Sequence, residues 1–157
     1  MSSNHYDPAT FSSQSSLGYL LKINHSLMHD FADKVFTDHD VSFIQWIVLL
    51  KLQEGTALTA SDLCRRMFHD NGAITRMLDQ LEDRGYLIRQ RSQEDRRVVE
   101  LKLTDAGNDK VNELTPQVVT KLNDLLTPFS SEEFSEFMRL LEKLKSTLQD
   151  FNQSQNS

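Results

Sequence analysis

Apolar residues along this chain recur at three- and four-residue steps almost throughout, with one short stretch of strict alternation in the middle. Leu17, Leu20, Leu21, Leu27, Met28, Phe31 and Val35 follow the helical step. They predict an amphipathic helix that ends near Thr37. Residues 1–16, rich in Ser, Asn and Gln without any period, read as a flexible arm. Ser42 with Gln45 three residues on has capping-box spacing, and the nearly unbroken apolar run over 43–52 predicts a helix buried on most sides. Gly55 closes that helix. Thr59 to Asp62 then caps a short one whose apolar side is Leu63, Cys64, Met67 and Phe68. After the turn residues His69, Asp70, Asn71 and Gly72, the set Ile74, Met77, Leu78 and Leu81 marks a further helix that stops at Gly85.

The period then changes to two. Val99, Leu101 and Leu103 alternate with Val98, Glu100 and Lys102, and residues 87–91 precede them across the polar loop 92–96, so a β-hairpin with a basic tip is predicted. Thr104 caps a helix carrying Val111, Leu114, Val118, Leu122 and Leu125, in which Pro116 should cause a kink or break near Leu114. Ser130 and Glu133 form a second capping box, opening a last helix with Phe134, Phe137, Met138, Leu141, Leu144 and Leu148 on one face, and residues 152–157 read as a flexible tail.

Helix, helix and two-stranded wing, in that order, predict a mainly α fold with a winged helix-turn-helix at 41–104. The flanking helices, 17–40 and 105–151, carry apolar stripes wider than one small domain requires. A two-fold dimer would bury them and set two recognition helices about one DNA turn apart, ~34 Å, as a pseudo-palindromic operator demands. With Ile74, Met77, Leu78 and Leu81 facing inward, Asn71, Thr75, Arg76 and Gln80 are left to meet double-stranded DNA. The start of a helix favours phosphates, and Arg and Gln have bidentate matches to guanine and adenine edges.

Composition narrows the alternatives. The 157 residues are 38% hydrophobic and 25% charged with 5 Gly and 3 Pro, which excludes collagen-like and low-complexity chains. The longest apolar run, residues 46–50, is far below the ~20 needed to span a bilayer, and the first residues lack a secretory pattern, so cytoplasmic residence without a membrane partner is expected. One cysteine, Cys64, supports neither an internal disulfide nor a multi-thiolate metal site. The net charge of −6 argues against a polyanion partner until its distribution is read: residues 59–104 hold nine Lys/Arg against eight Asp/Glu, so the acidic excess lies elsewhere. No Gly-rich phosphate loop, nucleophile elbow or forced carboxylate pair is present, so neither an enzyme nor a cofactor is expected. A winged helix that binds only protein is the rival class, and the basic tip, Arg96 and Arg97, speaks against it.

The segment from Asp95, Arg96 and Arg97 through Leu103, Thr104 and Gly107 resembles the wing and wing exit of the multiple-antibiotic-resistance regulator (MarR) family of bacterial transcription factors. Residues 74–86 and 41–46 resemble its recognition helix and second helix, and the similarity runs over about residues 17–148. The resemblance implies a dimeric, ligand-responsive DNA-binding regulator, a repressor in its usual form. Arg97 would be the minor-groove residue, with the Asp95 carboxylate beside it directing the guanidinium groups. Family members often bind phenolic or aromatic carboxylates between the dimer helices and the winged domain. Here Tyr19, Lys22, His25, Met28, His29 and Trp46 would supply that pocket's aromatic faces and cationic groups. Two other signals remain open. His25 and His29 have a metal-binding i, i+4 spacing, but zinc-responsive members use other positions. Redox-sensing members carry their cysteine near the N-terminus, which makes Cys64 read as a small core residue rather than a sensor.

Overall fold

A computed structural model describes residues 4–67 and 70–155, so the expectations for Phe68 and His69 lie outside the described residues. The chain divides into two compact units, Met1–Pro116 and Gln117–Ser157. In the first, a 3-10 turn, Ser13–Ser15, precedes α1 (Leu17–Phe36), α2 (Phe43–Gln53), α3 (Ala60–Met67), α4 (Asn71–Asp83), β1 (Leu87–Arg91) and β2 (Val99–Leu103). Helix α5 (Asp105–Leu126) begins in this unit and ends in the second, which also holds α6 (Ser131–Gln155). Two expectations are corrected here. Pro116 lies inside an α5 that runs through without a break, where a kink or break near Leu114 had been expected. Helix α6 runs to Gln155, into the segment expected to be a flexible tail.

Local chemistry accounts for the helix boundaries. The Ser42 hydroxyl accepts from Gln45 N–H at 3.3 Å and the Gln45 side-chain oxygen accepts from Ser42 N–H at 3.0 Å, a complete capping box. Asp70 caps α4 by accepting from Ala73 N–H at 2.9 Å. Gly85 follows α4 at φ +76°, a left-handed conformation that costs glycine little.

The core of the first unit is apolar and layered on α2 and α4: Val48, Leu49, Leu63, Ile74, Leu78, Leu81, Leu87, Val111 and Leu114 are fully buried or nearly so. The hairpin is antiparallel, with Leu87 opposite Leu103, Arg89 opposite Leu101 and Arg91 opposite Val99. Directly opposed residues share a face, so these six form one side of the wing, buried at its root through Leu87 and Leu101 and exposed at Arg91 and Val99. Leu101 N–H also donates to Leu58 O at 2.8 Å, fastening the sheet to the α2–α3 connection.

At the wing root, Thr104 N–H donates to Tyr86 O at 3.2 Å and the Thr104 hydroxyl to Gly85 O at 2.6 Å, while the same hydroxyl accepts from Gly107 N–H at 3.1 Å. Gly107 is the tight point: a Cβ there would stand 2.0 Å from the Tyr86 carbonyl oxygen. Beside it the Tyr86 hydroxyl donates to Asp40 at 2.5 Å, and Lys110 lies 3.4 Å from Asp40 and 2.9 Å from Glu113. Burial works against the Asp40 charge, but the Tyr86 hydrogen bond and Lys110 outweigh it and hold its carboxyl below the usual range.

Candidate nucleic-acid interface

The first turns of α4 are exposed at Asn71, Thr75 and Arg76, opposite the buried Ile74 and Leu78. The Thr75 hydroxyl donates to Asn71 O at 2.7 Å, and the Asn71 side-chain oxygen accepts from the half-buried Cys64 thiol at 2.9 Å, so α3 steadies the start of α4. The hydrogen bond from Ala73 N–H holds the Asp70 carboxyl below its usual range, and the Arg76 charge adds to the effect.

Gln80 is also exposed, one turn beyond Arg76 on the same row of the helix, though nine residues and about 13 Å beyond Asn71. Its side-chain oxygen accepts from Gln45 Nε2 at 2.6 Å. Reading adenine needs the oxygen and the NH2 of one amide together, and here the oxygen is engaged within the protein.

The wing tip is a set of local turns built on Asp95. Its side chain accepts from Arg97 N–H at 2.9 Å, its carbonyl accepts from Val98 N–H at 2.9 Å, and Val98 O accepts from the buried Ser92 N–H at 2.9 Å. Asp95 therefore orders the loop through the Arg97 backbone, as an Asx-type turn does, where the sequence pointed to contact with the guanidinium. Arg96 and Arg97 project exposed from this turn. Among the described residues, the ion pairs found take in Arg65, Arg89 and Arg139, and none involves Arg66, Arg76, Arg91, Arg96 or Arg97. Exposed guanidinium groups outside such ion pairs are available to phosphates, which explains how an acidic chain can present a face suited to a polyanion.

Helix and wing are coupled by a residue the sequence reading passed over. Arg89 lies on the inward face of β1, in register with Leu101, and is half-buried. Its guanidinium pairs with Asp79 at 2.7 Å and with Glu82, and its N–H donates to Glu82 at 3.0 Å. Partial burial opposes its charge, yet the two carboxylates prevail and raise its pKa. The signal was present in the sequence as a charged residue in phase with Leu87, on the hairpin face that Leu87, Leu101 and Leu103 make apolar at its root.

The residues expected to line an effector pocket are not gathered into one cavity. Tyr19, Lys22, His25, Met28 and His29 are all exposed on α1, and His29 pairs with Asp33 at 3.1 Å. Trp46 is 6% exposed, packed against Phe36 and Phe43 at ring distances of 6.0 and 5.8 Å, and its indole N–H has no hydrogen-bond partner among the described residues. A cleft of the first unit lies elsewhere: an open hollow of about 400 Å3 whose lining includes Phe36, Asp40, Val41, Gln45, Gln80 and Arg84.

Residues 39–98 match the model of the MarR family. The chain is 33% identical over 127 residues to the HTH-type transcriptional regulator PecS of Dickeya dadantii, a match covering 78% of this chain and 76% of that one. The chain belongs to the MarR family of transcriptional regulators. It is a regulator and not an enzyme. Its fold is similar to that of a mutant of Escherichia coli MarR complexed with operator DNA, at TM-score 0.76 and 25% identity, over 86% of this chain and 97% of that one. It is also similar to Bordetella bronchiseptica BpsR, whose DNA binding is regulated by 6-hydroxynicotinic acid, at TM-score 0.78 and 21% identity, over 86% and 96%. This MarR-family chain thus has the winged helix-turn-helix that its hydrophobic pattern predicted. Among the described residues no helix is long and apolar enough to cross a membrane.

Proposed function

We propose that this MarR-family regulator acts as a homodimer on a pseudo-palindromic operator, with the start of α4 in the major groove and the wing tip on the flanking minor groove. The observation that carries the reading is the pairing of an exposed Asn71–Thr75–Arg76 face with an ordered wing tip that presents Arg96 and Arg97 free of internal ion pairs. In this arrangement Arg76 reads base edges, Asn71 and Thr75 contact backbone or bases at the helix start, and Arg96 and Arg97 enter the narrow, negative minor groove. Asp95 holds the tip in shape, and Gln80 supports the helix. Residues 41–104 are the DNA-binding part.

Dimerisation through residues 17–40 and 105–151 is supported by the apolar side chains each region leaves exposed. These include Leu17, Leu20 and Leu27 on α1, and Phe134, Phe137 and Leu148 on α6. Such a dimer seated on a promoter would block polymerase, which makes repression the expected sense of regulation. An aromatic carboxylate is the proposed effector. Lys22, His25 and His29 fall within one narrow stripe of α1 at ~100° per residue, with Tyr19 and Met28 to either side, and a partner subunit covering that face would complete a pocket there. The effector acts by binding more tightly to the arrangement that cannot bind DNA, and ~1.4 kcal/mol of such coupling weakens DNA binding tenfold.

Selection of duplexes from a random-sequence pool, followed by gel shift on the selected site, tests the DNA reading. An inverted-repeat consensus bound by two chains is expected, and recovery of no consensus would overturn it. Salicylate, benzoate and an indole carboxylate at millimolar concentration should raise the melting temperature of the free protein and release the duplex, and His25→Ala should blunt both effects. Melting unmoved by all three acids removes this pocket.

A further inference from the structure

A polar hub centred on the buried Gln45 joins α2 to the second half of α4, starting one turn beyond Arg76. Gln45 is 5% exposed. Its side-chain oxygen accepts from Ser42 N–H at 3.0 Å and from Arg84 Nη1 at 3.1 Å, and its Nε2 donates to Gln80 Oε1 at 2.6 Å. The orientation of both amides follows from chemistry alone. A backbone N–H and a guanidinium can only donate, so the Gln45 oxygen must face both of them. That turns its NH2 toward Gln80, which must answer with oxygen.

Gln80 and Arg84 stand four residues apart, on one row of α4, so the hub grips successive turns of the helix at once. Through Ser42 N–H it is also tied to the backbone at the start of α2. The apolar contacts of Ile74, Leu78 and Leu81 hold α4 against the core, but burial is non-directional and tolerates small rotations about the helix axis. Hydrogen bonds do not, because they weaken steeply with angle. A roll of about 20° moves an atom ~5 Å from the helix axis by about 2 Å. That displacement would break a bidentate base contact made by Arg76, one turn before Gln80 on the same row.

We propose that Gln45 is a positioning residue for sequence recognition, its buried amide locking the roll of α4 against the N-terminus of α2. The inference rests on the reading of α4 as the groove-reading helix. It predicts that Gln45 governs the ratio of affinities for selected and scrambled duplex, whereas phosphate attraction, which needs no fixed roll, is little affected.

The test uses the full chain and a duplex recovered from the random pool. Gln45→Met keeps the length and removes the hub, and should reduce the selected-to-scrambled ratio about tenfold while binding to scrambled duplex stays within about threefold. Gln45→Glu retains oxygens for Ser42 and Arg84, and a flipped Gln80 amide can donate to it, so the ratio should return to within threefold of the parent. Gln80→Met should reproduce part of the loss, and adding it to Gln45→Met should cost nothing further. An unchanged ratio in folded Gln45→Met, failure of Gln45→Glu to restore it, or additive losses would each overturn the proposal. If Gln45→Met does not fold, the exposed-site variants Gln80→Met and Arg84→Met decide, and parental ratios in both overturn it. A parent that selects no sequence at all would instead count against the groove-reading assignment of α4.

Discussion

Replacing Gly107 by Ala isolates the joint that fixes the wing root to α5. The added Cβ would lie 2.0 Å from Tyr86 O, 2.9 Å from Tyr86 C and 3.0 Å from a Leu103 methyl carbon. The first two atoms are backbone and cannot swing aside. Relief requires α5 and the α4–β1 turn to separate by more than 1 Å, about the shortfall from ordinary contact distance, which strains or breaks the Thr104 N–H bond to Tyr86 O. Overpacking of this kind costs ~1–3 kcal/mol and a lost hydrogen bond about 1 more. Against that, Ala gains about 1 kcal/mol over Gly inside a helix. The net is a destabilisation of roughly 2 kcal/mol, which for a chain of this size lowers the melting temperature by about 4–8 °C. Thermal unfolding at fixed protein concentration measures it, with Gly18→Ala in α1 as control, where a Cβ meets nothing within 4 Å and a small gain is expected. If Gly107→Ala melts at or above the parent temperature, the close approach of Tyr86 is not what requires glycine there.

Other outcomes follow from the same contacts. Arg97→Ala should weaken binding to selected and random duplex alike and flatten the salt dependence by about one phosphate contact, and unchanged affinity at ~150 mM salt would remove Arg97 from the interface. Arg76→Ala should cost about 1–3 kcal/mol on the selected duplex and little on scrambled DNA, whereas equal losses would make it a phosphate contact. Tyr86→Phe should destabilise the fold by about 1 kcal/mol at neutral pH, the exposure of Asp40 reducing what a bond to a charged group can give. Because the Asp40 pKa is depressed on folding, its contribution is present above the unfolded value near 3.8 and is lost as pH falls through the lower folded value. The gap between parent and Tyr86→Phe should therefore close below about pH 4 in acid unfolding curves, and a gap that persists there would sink the assignment.

Most of the element order of this chain was determined locally and was legible for that reason. Helical spacing, the capping pair Ser42 and Gln45, the terminator Gly85 and the alternation through Val99, Leu101 and Leu103 all act over a few residues, so each announces itself in the sequence. The exposed face of α4 was likewise readable, since Ile74, Leu78 and Leu81 define the buried side. What the sequence could not decide was where polar side chains spend their hydrogen bonds across elements. Gln80 shows the same spacing whether its amide faces a DNA groove or Gln45, and only packing of α2 beside α4 turns its oxygen inward. Arg89 drew no reading from the sequence, and only the hairpin register placed it opposite Leu101 and beside Asp79 and Glu82. The burial of Trp46 against Phe36 and Phe43, with Tyr19, Lys22, His25, Met28 and His29 left exposed, was decided the same way. Periodicity encodes which face of an element is buried, whereas the partner found on that face depends on contacts between residues tens of positions apart, such as Gln45 and Gln80 or Thr104 and Gly85.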